Sequence, residues 1–165
     1  MAVSPTLTHV WFLDTLVTIH VSHTQGADTI SLLEHQAPAG HSPPLHIHRT
    51  EDELFHVLTG DFEFHIGDQT RLLTAGASLL TPKGIAHTFR VRSTNGGKWL
   101  TMTTHTDFER FVRAIGRPAP RAELPPPPGP PTPEMVAQLT EVAARHSIDV
   151  VGPPYIKRAS RLTSS

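Results

Sequence analysis

Between Trp11 and about Thr106 every apolar stretch is short and ends in a turn signal, and this spacing limits the possible folds more than any other feature. "WFLDTLVTIHV" and "TISLLEHQAP" are strand-like, with the loop-like "SHTQGAD" between them. "ELFHVLTG" and "DFEFHIGD" flank Gly60–Asp61 and predict a hairpin with Phe62, Phe64 and Ile66 on one face. "RLLTAG", "ASLLTPKG" and "HTFRVRS" follow, then the turn "TNGGK" and the strand "WLTMTTHT". Many short strands at this spacing predict an all-β sandwich or barrel around one core. The 165 residues suffice for a single domain with a sizeable interior.

The pattern changes after Thr106. "DFERFVRAIG" places Phe108, Phe111, Val112 and Ile115 at helical spacing, and Gly116 suits a stop. Residues 1–116 are therefore expected to form the β-barrel domain. Residues 117–133 form a proline-rich linker holding nine of the sixteen prolines, expected to be extended and poorly able to join a sheet. Residues 134–165 are expected to be a C-terminal helix and tail. Thr132 can cap that helix with Pro133 in its first position. Met135, Val136, Leu139, Val142 and Ala143 make one apolar stripe. A lone helix this short is marginal in water, so the stripe is expected to dock on the barrel or on a second subunit.

Composition removes several functions. Charged residues are 18% of the chain and the formal net charge is -1, which gives no basic footprint for nucleic acid and no polybasic membrane anchor. Cysteine is absent, which removes disulfide scaffolds, thiolate metal sites and cysteine nucleophiles. The first twenty residues lack a basic n-region and alternate apolar with polar, so neither a signal peptide nor a membrane span is expected, and a cytoplasmic location is the default.

The chemistry gathers in "GHSPPLHIHRTEDELFHVLTG", residues 40–60. In a strand, side chains two apart share a face, so His46 and His48 project together and Ile47 points the other way. Two such imidazoles can hold one metal ion. Glu53 lies at an odd offset from His48. The polar "RTED" between them predicts a reversal that lets Glu53 begin the next strand and face back. In "GASLLTPKGIAHTF", Pro82-Lys83-Gly84 predicts a turn before a strand that carries His87, Phe89 and Val91 on one side. His87 completes a set of three histidines and one carboxylate. This set suits a divalent metal with further positions open.

These two stretches resemble the two signatures of the cupins. Gly40, His46, His48, Glu53 and Gly60 fall on G-x5-H-x-H-x4-E-x6-G, and Gly76, Pro82, Gly84 and His87 fall on G-x5-P-x-G-x2-H. The resemblance spans about residues 10 to 106 and is closest in character to bacterial single-domain cupins similar to quercetinases. It implies a double-stranded β-helix, a jelly-roll barrel, with a C-terminal helical extension here. It also implies one divalent transition metal inside, of iron, manganese, nickel, cobalt, copper or zinc. The one departure is Val91, where the second signature usually ends in Asn. That Asn is not a ligand in the family, so the departure bears on strand hydrogen bonding and not on the metal set.

What the resemblance implies is a dioxygenase for a small substrate with an enolic or phenolic oxygen, flavonol- or β-diketone-like, with dioxygen as co-substrate. Glu53 would serve as both ligand and base. The alternatives are a metal-dependent isomerase or cyclase of a small polyketide-like metabolite, and a non-catalytic metal- or small-molecule-binding cupin. A homodimer is expected, since cupins commonly pair through sheet edges.

Several residues near the motifs are expected to be bystanders. His41 sits towards the barrel mouth, and His56 points away from the face of Glu53. His9, His20, His23, His35, His65, His105 and His146 read as surface or satisfied core residues. Phe55, Phe62, Phe64, Phe89 and Met102 are candidates for a pocket wall, although ordinary packing explains them as well.

Overall fold

The computed structural model describes residues 8–155. Burial alternates strictly along β3 (Ser31–Ala37) and through most of β5 (Glu53–Thr59), the mark of strands with one face in a core. The remaining strands are β1 (Thr8–Phe12), β2 (Thr15–Val21), β4 (Pro44–His48), β6 (Phe62–Ile66), β7 (Gln69–Leu73), β8 (Ser78–Thr81), β9 (His87–Val91), β10 (Gly97–Thr103), β11 (Arg117–Pro118) and β12 (Ile148–Pro154). Two helices, α1 (Asp107–Ile115) and α2 (Pro133–Arg145), lie in the C-terminal third. The strands form a seven-stranded sheet, β11-β1-β2-β3-β10-β5-β8, and a five-stranded sheet, β12-β4-β9-β6-β7. This is the all-β jelly roll with a C-terminal helical extension that the sequence predicts. Among the described residues no helix is long and apolar enough to cross a membrane.

Two local expectations are corrected. "WFLDTLVTIHV" is a tight hairpin and not one strand: Phe12 pairs with Thr15, and Leu13 takes a φ of 56° in the turn. Gly60–Asp61 is not a hairpin turn. β5 pairs with β10 and β8, whereas β6 pairs with β9 and β7 in the other sheet, so the chain crosses the core there. Burial explains the choice. A hairpin would set the apolar faces of β5 and β6 side by side, but the crossing sets them opposite each other. The rings of Phe55 and Phe64 meet across the interior with centroids 4.9 Å apart. Gly60 is needed at the crossing, since its φ is +87° and a Cβ would lie 2.7 Å from the Gly96 carbonyl oxygen. The true hairpin uses the next Gly-Asp pair, Gly67–Asp68, with Ile66 opposite Gln69.

One core cluster fills the far end of the barrel with Phe55, Val57, Phe62, Phe64, Phe89 and Trp99 among its members. The other joins β1–β3 to the C-terminal elements through residues such as Phe12, Leu33, Phe108, Phe111, Val112 and Ile148. Helix α1 ends at Gly116, as predicted, but for a different reason. Its backbone is extended, and a Cβ would meet Val10 Cγ1 at 2.2 Å, so β1 leaves no room for a side chain.

The proline-rich segment begins with a contribution that its composition did not predict. Arg117 and Pro118 pair with Trp11 and Val10 at the sheet edge, where a missing N–H is tolerated. Ala119 N donates to His9 O (3.0 Å), Trp11 Nε1 donates to Glu123 O (2.8 Å), and the Arg117 guanidinium lies 5.0 Å from the Trp11 ring centre. Thr132 caps α2 by accepting from Met135 N at 3.3 Å. Of the apolar stripe on α2, Ala143 is buried and Leu139 and Val142 pack on the core, while Met135 and Val136 are about half exposed. β12 begins at Ile148, straight after α2, and pairs with β4. Residues 156–165 of the expected tail lie outside the described residues.

Helix α1 is tied down by Glu109, whose side chain is fully buried. Its carboxylate accepts from Ser22 Oγ (2.8 Å), His23 N (2.8 Å) and Arg113 Nε (2.9 Å), and it meets His23 Nδ1 at 2.9 Å. Burial alone would raise this carboxyl. The His23 backbone N–H, with the His23, Ser22 and Arg113 side chains, outweighs it and lowers the group. A folded-state pKa below the unfolded one adds stability above the ordinary carboxylate range, and that stability is lost as the pH falls through the lowered value. Glu109→Gln should therefore cost about 2 kcal/mol in denaturant unfolding at neutral pH, with the gap to the unchanged protein closing in acid. A gap that does not depend on pH would contradict this account.

Candidate metal centre

His46 and His48 stand on β4 and His87 opens β9, all in the five-stranded sheet, and His46 is directly paired with His87. Glu53 opens β5 in the facing sheet, between Thr81 of β8 and Thr103 of β10. The reversal predicted over residues 49–52 delivers Glu53 by carrying the chain from one sheet to the other. Its partner loop is the turn at Pro82–Ile85, where Gly84 has a φ of +82° and Ile85 N donates to Pro82 O at 3.3 Å. The two loops are laced together: Gly84 N donates to His48 O (2.8 Å) and Lys83 N to Asp52 Oδ1 (2.9 Å).

One atom from each of His46, His48, Glu53 and His87 lies within 4.8 Å of all the others. Glu53 Oε2 is 3.1 Å from His87 Nε2 and 3.4 Å from His48 Nε2. The outward nitrogens show which way each ring is set. His46 Nδ1 meets Pro44 O at 2.7 Å, His87 Nδ1 meets Ile85 O at 3.0 Å, and His48 Nδ1 meets Glu51 Oε1 at 3.0 Å. Carbonyl and carboxylate oxygens accept, so each Nδ1 is the donor and a neutral ring keeps its lone pair on Nε2. Three Nε2 lone pairs and a carboxylate thus converge.

Such a donor set needs a positive charge at its middle. Burial, then the neighbouring charges of His87 and His48, push His46 down to about 3, so this ring is a lone-pair donor at neutral pH. Burial would lower His48 too, but the carboxylates of Glu53 and Glu51 outweigh it and raise the group. Glu53 is the reverse case. Burial would raise it, yet the neighbouring His48 and His87 rings hold it at about 2. His48 Nε2 is buried and has no hydrogen-bond partner. A metal ion bound by nitrogen and oxygen ligands would satisfy it and neutralise Glu53, so the residues present fit a divalent metal.

His46, His48 and Glu53 line one side of a cavity of about 70 Å³ whose remaining walls are mostly apolar, and His87 stands behind them. Phe55, Phe89 and Trp99 come from the barrel, and Phe108, Phe111 and Leu139 from the two helices. Of the aromatic candidates, Phe62 and Phe64 instead pack in the core, and Met102 faces outward at 37% exposure. His41 lines the cavity near Asp14, which its Nδ1 meets at 2.7 Å, and stays outside the four-residue cluster. His56 faces the other way and meets Ser78 Oγ at 2.8 Å. Val91, in place of the usual Asn, is buried and bonds through its backbone: its N donates to His41 O (2.9 Å) and its O accepts from Gly40 N (3.0 Å).

Two residues escaped the sequence reading. Glu51 lies within the predicted turn, yet it is 1% exposed and its Oε1 accepts from both His48 Nδ1 and Phe108 N. A carboxylate inside a polar turn has no periodicity that could mark it. His35 reads in the sequence as a surface or satisfied core residue, yet it is 3% exposed, lines the cavity and has an unpartnered Nε2. The alternation Leu33, His35, Ala37 was the available signal, because it places a histidine on an apolar face.

A jelly-roll barrel with three histidines and a glutamate drawn from both sheets defines a class of metal-capable barrel proteins. Residues 32–103 match the family model described as "Cupin domain". No curated protein sequence matches it. Among solved structures it is similar to KdgF from Halomonas sp., at 17% identity and a TM-score of 0.51, over 58% of this chain and 84% of that one. An RmlC-like cupin from Shewanella frigidimarina matches at 17% identity and 0.51, over 59% and 83%. An oxalate decarboxylase variant from Bacillus subtilis matches at 17% identity and 0.55, over 68% of this chain and 32% of that one. At these identities the likeness is one of fold.

Glu51 orients a ligand from behind, and outer partners of this kind are worth about 10–100-fold in metal affinity. Glu51→Gln should therefore weaken Zn2+ binding by about that factor in a chelator competition, with all four inward residues intact. Unchanged affinity would remove Glu51 from the site.

Proposed function

We propose that the chain is a mononuclear metal-dependent dioxygenase acting on a small molecule with an enolic or phenolic oxygen, of flavonol or β-diketone type. The observation that carries this reading is the convergence of His46, His48, Glu53 and His87, three of which, His46, His48 and Glu53, line a largely apolar cavity. A divalent transition metal held by these four residues would supply Lewis acidity and, if redox-active, a path for electrons between substrate and dioxygen. Both oxygen atoms of dioxygen would enter the product, so no external reductant is required.

The chain's own residues supply the rest. Glu53 Oε2 meets the histidines, and its other oxygen is the acceptor for the proton leaving the substrate hydroxyl. Phe55, Phe89, Trp99 and Phe108 hold the flat part of the substrate and keep water out, which strengthens every charge interaction inside. Leu72 on β7 and Leu80 on β8 are exposed on edge strands, which supports a homodimer.

Oxygen-electrode measurements on protein loaded in turn with iron, copper, manganese, nickel and cobalt check the proposal. Uptake is expected with at least one flavonol or β-diketone, and Glu53→Ala should reduce it by at least about 100-fold. No uptake with any pairing would sink the dioxygenase reading. A product of unchanged mass would favour the isomerase or cyclase instead.

A further inference from the structure

His35 stands on β3 in the middle of the seven-stranded sheet, paired with Val17 on one side and Trp99 on the other. Its ring stacks on Trp99, with centroids 4.8 Å apart and planes 9° from parallel, and on Phe108 at 5.8 Å and 26°. With its flat surfaces against these two rings, the imidazole has its edge left to meet the cavity that it lines. Its Nε2 is buried and has no hydrogen-bond partner.

The other polar side chains of the wall are engaged. Thr15 Oγ1 donates to Phe12 O (2.7 Å), Trp99 Nε1 donates to Thr101 Oγ1 (3.1 Å), and His41 Nδ1 meets Asp14 (2.7 Å). His46, His48 and Glu53 belong to the metal centre. A buried polar atom without a partner is a cost that a bound ligand can offset.

Phe108 measures the gap between the two ends of the cavity. Its ring lies 5.8 Å from His35 and 5.7 Å from His48, so His35 is one aromatic ring away from an inward histidine. Among the described residues no lysine or arginine lines this space.

We propose that His35 is a substrate-binding, specificity-determining residue. The substrate it selects is a flat, largely apolar molecule with oxygens at opposite ends. One is an enolic or phenolic hydroxyl at the metal centre, and the other is a neutral carbonyl or hydroxyl oxygen hydrogen-bonded to His35 Nε2. This deepens the function proposed above and rests on its metal centre. Burial holds His35 down to about 3, against the pull of Glu53, so its ring is uncharged at neutral pH and matches a neutral oxygen. A second carboxylate would find no cation there.

The test uses Zn2+-loaded protein, in which binding is read without turnover. Titration calorimetry compares para-hydroxyacetophenone with para-(trifluoromethyl)phenol, a phenol of similar acidity that lacks the carbonyl oxygen. The unchanged protein should favour the ketone roughly tenfold. His35→Phe, which keeps a flat ring in the stack, should abolish that preference while keeping the Zn2+ stoichiometry. His35→Gln, which can still hydrogen-bond, should keep part of it. Equal affinity for the two phenols in the unchanged protein overturns the assignment, as does failure of both to bind. So does a preference that survives His35→Phe. The first two outcomes need no variant, so a misfolded variant cannot shield the proposal. A ketone preference lost in His35→Phe, together with no oxygen uptake by any metal form, leaves His35 assigned and removes the dioxygenase reading alone.

Discussion

The metal-capable site depends on what holds the outer nitrogen of each histidine. Two of the three acceptors are backbone carbonyls two residues upstream, Pro44 O for His46 and Ile85 O for His87, so the local backbone sets those rings. The third acceptor is a side chain, Glu51, and its Oε1 is shared with the backbone N–H of Phe108 in the first turn of α1. The orientation of His48 is therefore coupled to where that helix docks. A ligand atom placed a few tenths of an ångström wrong loses affinity, and this site has both a local and a long-range way of avoiding it.

The segment after the barrel is accordingly part of the site. β12 pairs with the ligand strand, with Ile148 opposite His48 and Val150 opposite His46. Phe108 and Phe111 of α1 and Leu139 of α2 close the cavity beside it. Burying a phenylalanine side chain is worth about 1.5–3 kcal/mol, so the cover is held by the same apolar contacts that keep the cavity dry. Glu109 adds a polar anchor at the other side of α1, to the loop after β2. One helix thus links the β2 loop, the core and His48.

What the sequence revealed follows from the range of the interactions involved. Strand alternation and the spacing of the two motifs are local, and they picked out His46, His48, Glu53 and His87, which the fold brings together. The two Gly-Asp pairs look alike locally. Which one makes a hairpin depends on whether the flanking strands must face each other across the core, a tertiary matter. The pairing of Arg117 and Pro118 with β1 depends on an edge that exists once the sheet has formed. Glu51 was hidden for the same reason, since its second donor, Phe108 N, is 57 residues away. The stripe on α2 was legible as a stripe, but the half that docks, near Ala143, is decided by how far the barrel surface reaches.

The cavity has a polarity that narrows its chemistry. One end gathers a carboxylate and three imidazoles, a set that fits a divalent metal. The other end has a neutral imidazole wedged between aromatic rings, and no lysine or arginine among the described residues lines the space between. An anion bound away from the metal centre would lose its hydration without gaining a partner, a cost of several kcal/mol. A single acidic oxygen at the charged end, with an apolar body behind it, avoids that cost. The walls thus select against small dianions, although the barrel shares its fold with an oxalate decarboxylase variant. Fold and ligand set are common to many chemistries, so the residues that distinguish this chain are the ones lining the far wall.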